Sequence, residues 1–330
     1  MEDQVTSIPD PKDLFGALDL GTNSCRLLIA EKREGSYEVV DSYARVVRLG
    51  DELASHKHIS EEASARAISA LTTCAEKIAY YQIPKNQLRC VATAACRQAA
   101  NGVDFVNLVK ERTGIEFEIV TAEEEARLAI IGCSDLLESH TRYAVAFDVG
   151  GGSSEVMWME IIPGKSPEII DWISFPFGVV TVASALRDEP DEYAFLMRVR
   201  DAIFDMVKSF ADRCQIHPHL RRNNVQMIGT SGTVTTLAAL LKNLDRYDRT
   251  QVNGLKLSRD DIKKTTSRLY RMSVEERLLH PCIGPGRAEL VMGGVSIFDG
   301  IYDAIPIDPV IVADRGVREG ILVDLMSKSV

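Results

Sequence analysis

The chain has 330 residues, 45% of them hydrophobic, and a net charge of −10. That length allows two domains with sizeable cores, no apolar run reaches bilayer length, and the acidic balance argues against nucleic-acid and membrane partners. The start MEDQVTSIPD lacks signal-peptide character, and seven scattered cysteines without a C-x-x-C pair read as reduced side chains of a cytoplasmic protein.

In chain order, residues 14–50 read as hairpin-like strands at 15–20, 25–32 and 37–49. Ser60 caps a long helix with Glu61 and Glu62 in its first turn and apolar residues at 63, 67, 71, 75 and 78. A strand at 88–95 follows, then a helix at 103–113 that stops at Gly114, and a strand at 116–120. Thr121 opens a helix running to 137. A second set begins with strands at 143–149, 155–162 and 168–175 and a helix at 192–214. A strand at 225–229 turns through Gly229-TSGT into another helix, and Ser258 and Ser273 head capping boxes. A helix containing Gly293-Gly294, a strand at 309–314 and a helix at 316–327 complete the chain. Strands alternate with helices throughout, which predicts an α/β fold. The glycine pair is expected to serve close helix packing.

One stretch occurs twice. Ala17-LDLGTNSCRLL aligns without a gap with Ala146-FDVGGGSSEVM, with Asp19/Asp148, Gly21/Gly150 and Ser24/Ser153 identical. A connecting turn has no reason to recur with the same Asp and Ser. Glycine-exposed N–H groups and small hydroxyls form a nest for phosphate oxygens, so Gly21, Thr22, Asn23, Ser24, Gly150, Gly151, Gly152 and Ser153 are candidate phosphate ligands. Gly229, Ser231 and Gly232 form a third glycine turn before a helix. An Asp at each strand end suits a hydrated divalent cation, which makes Asp148 and Asp19 candidate Mg²⁺ ligands. The stretch 242–277 carries ten Lys/Arg against six Asp/Glu. It reads as a solvated helical surface, with steering of a polyanion as the alternative. Pro163-GKSP lacks the upstream glycine of a nucleotide-binding P-loop.

The two loops, the Gly229-TSGT turn and the late glycine pair resemble the acetate kinase, sugar kinase, actin and heat-shock ATPase superfamily. Within it, Ala17-LDLGTNSCRLLIA, Ala92-TAACRQA, Thr121-AEEEARL, Phe147-DVGGGSSEV, Ile228-GTSGTV and Asp314-RGVREGIL are similar to the exopolyphosphatase/guanosine pentaphosphate phosphohydrolase family. The likeness implies two similar ribonuclease-H-like (actin-like ATPase) domains around a cleft, 1–138 with 314–330 and 139–313. It implies Mg²⁺-dependent removal of orthophosphate from inorganic polyphosphate, or the same cleavage of guanosine pentaphosphate, with a homodimer as the expected assembly. Longer relatives add a C-terminal helical domain, so the short form is expected here. A small-molecule kinase and a guanosine phosphate or polyphosphate sensor without activity are the rival readings.

The same resemblance implies site roles. Glu124 stands in capping-box spacing from Thr121, whereas Glu125 falls where the family carries its base. Glu155 matches a Glu important for catalysis, through the metal or the attacking water. Arg97 matches an Arg that meets the substrate phosphates, a task that suits a planar fork donor. Arg26, Arg287 and Arg318 are further candidates, and Arg26 departs from relatives with a neutral residue or His at its position.

Overall fold

The computed structural model describes residues 10–328 except 35, 52, 139, 163–166 and 223, so the Gly-Lys-Ser run and the first nine residues lie outside it. Contacts divide the chain into two compact units, Met1–Thr121 with Arg318–Val330, and Ala122–Val317.

The first unit is built on strands β1 (Leu14–Leu20), β2 (Ser24–Arg33), β3 (Ser36–Val46), β4 (Leu88–Ala92) and β5 (Glu118–Ile119), in the order β3-β2-β1-β4-β5. β1, β2 and β3 are antiparallel neighbours, while β4 runs parallel to β1 and β5 parallel to β4. Leu18, Leu20, Leu27 and Ile29 point to one face, where they form a core with Ala63, Ala67, Leu71 and Val109 of helices Glu61–Tyr80 and Gly102–Thr113. Ser60 does cap the first of these by accepting the Ala63 N–H. The strand expected to reach residue 95 ends at Ala92, because the helix-favouring run after Thr93 winds up as Ala94–Gln98.

The second unit repeats the plan. β6 (Tyr143–Val149), β7 (Ser154–Glu160), β8 (Glu168–Phe175), β9 (Val225–Thr230), β10 (Lys256–Leu257) and β11 (Val310–Ala313) are arranged β10-β11-β9-β6-β7-β8. β6, β7 and β8 are antiparallel, and β9 and β11 follow in parallel, so five strands share the first sheet's topology, with β10 added at the edge. The duplicated ribonuclease-H-like architecture is thus present in both units.

Strand alternation divides the second sheet's faces. Val145, Phe147, Val149, Val156 and Trp158 enter a core with Ile203 and Phe210 of helix Glu192–Arg213 and Val295 and Phe298 of helix Val291–Ala304. Ala144, Ala146, Met157 and Met159 turn the other way, onto Ala126 and Ile130 of helix Ala122–Ile131. Burying each large side chain contributes about 1.5–3 kcal/mol. Gly293 and Gly294 do serve close packing, since Cβ atoms there would run into Val182 and Thr233. Helix Val179–Leu186 is absent from the sequence expectation, because VVTVASAL is apolar nearly all round and shows no amphipathic period. All seven cysteines are unbridged. Among the described residues no helix is long and apolar enough to cross a membrane.

Candidate active site

The two glycine loops close in the same way. In the first, Asp19 faces Arg26 across the ladder, Leu20 faces Cys25, and the Gly21 N–H bonds the Ser24 carbonyl at 2.9 Å. In the second, Asp148 faces Glu155, Val149 faces Ser154, and the Gly150 N–H bonds the Ser153 carbonyl at 3.0 Å. A Cβ on Gly150 would stand 2.8 Å from that carbonyl oxygen, so the closure demands glycine.

The loop carbonyls are held from behind. Thr22 accepts the Gly50 N–H at 2.9 Å, and Asn23 accepts those of Val47 and Arg48 at 2.8 and 3.0 Å. Gly150 and Gly151 accept the Val179 and Val180 N–H groups, both at 2.9 Å, at the start of helix Val179–Leu186. A side chain on Gly178 would collide with the Gly151 backbone. With its carbonyls so occupied, the tip keeps its amides for a ligand. Among the described residues, no protein acceptor meets the Gly151 and Gly152 N–H groups. Backbone donors gathered in this way are the basis of an anion nest.

Acidic groups gather beside the second loop. Thr230, Asp148, Glu155 and Ser174 form one row across β9, β6, β7 and β8. Glu155 is only 3% exposed, and the Ser174 hydroxyl donates to its Oε1 at 2.8 Å. Burial, then the charges of Glu125 and Asp148, push the Glu155 carboxyl up to about 8, against the pull of the Ser153 and Ser174 hydroxyls. Glu125 arrives on helix Ala122–Ile131, which packs on the sheet face that includes Ala144, Ala146 and, two residues on, Asp148. The small alanines let that helix approach closely. Its neighbour Glu124 is held instead by Arg127, whose Nε and Nη2 donate at 2.6 and 2.9 Å.

These residues fit a divalent cation of limited protein ligation. Among the described residues no three His, Cys, Asp or Glu side chains gather closely enough to form a full cage. Asp148 and Glu155 instead offer two facing carboxylates, and the burial and neighbouring negative charges that raise Glu155 are what a cation would offset. Mg²⁺ commonly takes one or two carboxylates and completes its shell with water and phosphate oxygens.

In the first unit, the row through Asp19 reads Ala44, Arg26, Asp19, Val91. Arg26 is exposed and stands across from Asp19. The Thr93 N–H bonds the Leu20 carbonyl at 3.1 Å, which sets the start of helix Ala94–Gln98 beside the first loop. Arg97 on this helix is half-buried and donates from Nη1 to the Val120 carbonyl at 2.9 Å.

The remaining candidates separate by environment. Ser231 adopts φ 116° and accepts the Thr233 N–H at 3.3 Å as cap of helix Gly232–Leu241. Nothing lies within 4 Å of a Cβ built on Gly232, so that helix start is open. Gly229 sits inside β9, where a Cβ would strike the Phe147 ring, so core packing requires this glycine. Arg287 lies over the Tyr247 ring at 5.6 Å, and Arg318 donates to buried Glu319 at 3.1 Å. In the basic stretch, Lys256 pairs with Glu138, Arg277 with Glu192 at 3.0 Å, and Arg268 reaches Asn243 at 3.0 Å. Those cations are engaged within the fold. Ser174 and Thr230 escaped the sequence reading, because only strand register brings them into line with Asp148 and Glu155.

Two ribonuclease-H-like sheets, each ending in an Asp-Gly hairpin, with carboxylates grouped at one of them, define a two-unit α/β phosphohydrolase. A model of the Ppx/GppA phosphatase family matches residues 28–329, and the chain belongs to that family, whose members hydrolyse phosphoanhydride bonds. Exopolyphosphatase 2 of Mycobacterium tuberculosis is 28% identical, over 94% of this chain and 97% of its own length. A crystal structure of the Aquifex aeolicus family member is 26% identical, with a TM-score of 0.77, covering 96% of this chain and 98% of that one. An exopolyphosphatase structure from Cytophaga hutchinsonii, 22% identical, has the same fold, with a TM-score of 0.77 and coverage of 96% and 98%.

Proposed function

We propose that the chain is a Mg²⁺-dependent exopolyphosphatase that removes terminal orthophosphate from inorganic polyphosphate. The observation that carries this reading is the gathering of Glu125, Asp148 and Glu155 around a loop with open amides. The Gly151 and Gly152 N–H groups bind the terminal phosphate, and Ser153 lies at the same loop. Glu125 is half-exposed, so a water molecule can reach it, and it acts as general base toward that water. Glu155 is too buried for that task and is held by Ser174. Asp148 and Glu155 would hold Mg²⁺, which supplies charge neutralisation at the phosphate oxygens when bound. The first unit offers a second loop of the same build, Gly21–Ser24, together with Arg97 as a guanidinium donor to phosphate.

Guanosine pentaphosphate also ends in a phosphoanhydride bond and is the alternative substrate. Orthophosphate release from polyphosphate, guanosine pentaphosphate and ATP, each with and without Mg²⁺, tests the reading. Faster turnover of polyphosphate that requires Mg²⁺ is the expected result. A preference for guanosine pentaphosphate would reassign the substrate, and tight binding without orthophosphate release would make the protein a sensor.

A further inference from the structure

Away from both hairpins, a cavity of about 480 Å³ opens in the second unit among helices Glu192–Arg213, Arg259–Arg271 and Val291–Ala304. Ligand sites commonly have such a volume. Three helical stripes converge on it. Arg259, Lys263, Thr266 and Tyr270 follow one another at spacings of four and three along one helix, as do Tyr193, Met197 and Arg200 along another. Asp299, Tyr302 and Asp303 come from the third.

The charges in this cavity do not cancel. Arg200 is taken by Asp303, with Nη2 to Oδ2 at 2.5 Å. Asp299 is half-buried, and the loss of solvation raises its carboxyl to about 7. Among the described residues, Arg259 and Lys263 make no ion pair with any carboxylate, so two cations remain at the mouth. The Tyr193 side chain is an apolar plate beside them. It is 61% exposed, with its ring edge-on to Tyr270 at 6.0 Å. Deeper in, Asp299 lies beside Tyr270 and Arg259 beside Tyr302, yet neither tyrosine hydroxyl reaches hydrogen-bonding geometry although both are buried. Buried hydroxyls without partners are uncommon and costly.

We propose that this cavity is a second ligand site, which takes a nucleoside diphosphate. The base stacks on Tyr193, and the phosphates meet Arg259 and Lys263. A flat ring on an aromatic plate and anions on cations without ion pairs account for the base and the phosphates of that ligand. This site stands apart from the phosphohydrolase reading and does not depend on it.

Calorimetric titration of adenosine 5′-diphosphate and of inorganic phosphate into the full chain tests the proposal, with Lys263→Glu and Tyr193→Ala as variants. Both side chains are exposed, so the fold should tolerate either change. We expect saturable binding of the diphosphate that each variant weakens about tenfold or more. Orthophosphate release from polyphosphate, measured without nucleotide, should be unchanged in both. Absence of saturable diphosphate binding overturns the proposal. Equal affinity in wild type and both variants also overturns it, because the catalytic loops would then be the only sites. Loss in Lys263→Glu alone, shared by inorganic phosphate, overturns it as well by leaving a bare anion contact.

Discussion

The two hairpins share a backbone and differ in chemistry. Asp19 and Asp148 occupy the same place before the same glycine closure, but the residue opposite is Arg26 in one and Glu155 in the other. In the first unit the cross-strand pair is of opposite sign, which is mildly stabilising in a sheet. Its flanking row positions, Ala44 and Val91, have no hydroxyl to offer. In the second unit two carboxylates face each other, a destabilising arrangement, and Ser174 and Thr230 flank them. A fold keeps such a local conflict where function uses it. The backbone closure is thus the same in both units, while the carboxylates are grouped in one.

Glu125 should give the largest effect. Glu125→Gln keeps shape and hydrogen bonding but loses the base, which is worth about 10²–10⁴-fold in rate. Glu124→Gln should cost little turnover, because Glu124 is engaged by Arg127 at 2.6 Å. Comparing kcat and equilibrium polyphosphate binding for the two variants checks this, and a dead Glu124→Gln beside an active Glu125→Gln would shift the base by one residue. Next come the matched aspartates. At limiting Mg²⁺, Asp148→Ala should lose about 10–100-fold in activity or more, and Asp19→Ala distinctly less. Equal losses would mean that the hairpins are equivalent, against the contrast drawn from Arg26 and Glu155.

A stability effect comes third. Glu155 keeps its proton up to about 8 in the fold, above its ordinary value of 4.5. The folded state therefore binds more protons than the unfolded one between those values, and stability falls as pH rises through that window. Glu155→Gln removes the ionisation. In EDTA its melting temperature should exceed that of the wild type above pH 8, by about 2–4 °C per kcal/mol recovered. The gain should shrink toward pH 4.5. A gain of the same size at every pH would show that repulsion and burial of the charge are not its cause.

Much of this was legible in the residues. The repeat at 17–28 and 146–157 marked both hairpins, since Asp, Gly and Ser recur at identical spacing. Capping boxes at Ser258 and Ser273 are present as expected, because they need only local geometry. Long-range register was not legible. Nothing near Ser174 in EIIDWISF marks it as the partner of Glu155, because that pairing depends on a register shift between Trp158 and Met159. Gly229 looked like a loop glycine because Gly232 follows so closely, but its reason lies in the Phe147 ring on a neighbouring strand. Helix Val179–Leu186 was hidden by burial, which erases the polar face that marks a helix in sequence.

Ser174 carries the smallest predicted effect and probes the comparison most directly, because the first hairpin has Ala44 at its position. Its hydroxyl donates to Glu155 at 2.8 Å and pulls the raised carboxyl back down. Ser174→Ala removes that pull, so Glu155 should ionise at still higher pH. Turnover near neutrality should fall by only a few-fold, on the order of one hydrogen bond to a charged group, and recover as pH is raised. The alkaline side of the pH–rate profile should therefore approach the wild-type value, while the ascending limb moves to higher pH. Ser174→Thr keeps the hydroxyl and should hold the limb in place if the extra methyl fits. A merely structural role would lower the whole profile evenly without moving it. In that case Ser174 would be packing alone, and the acid–hydroxyl row would contract to Asp148 and Glu155.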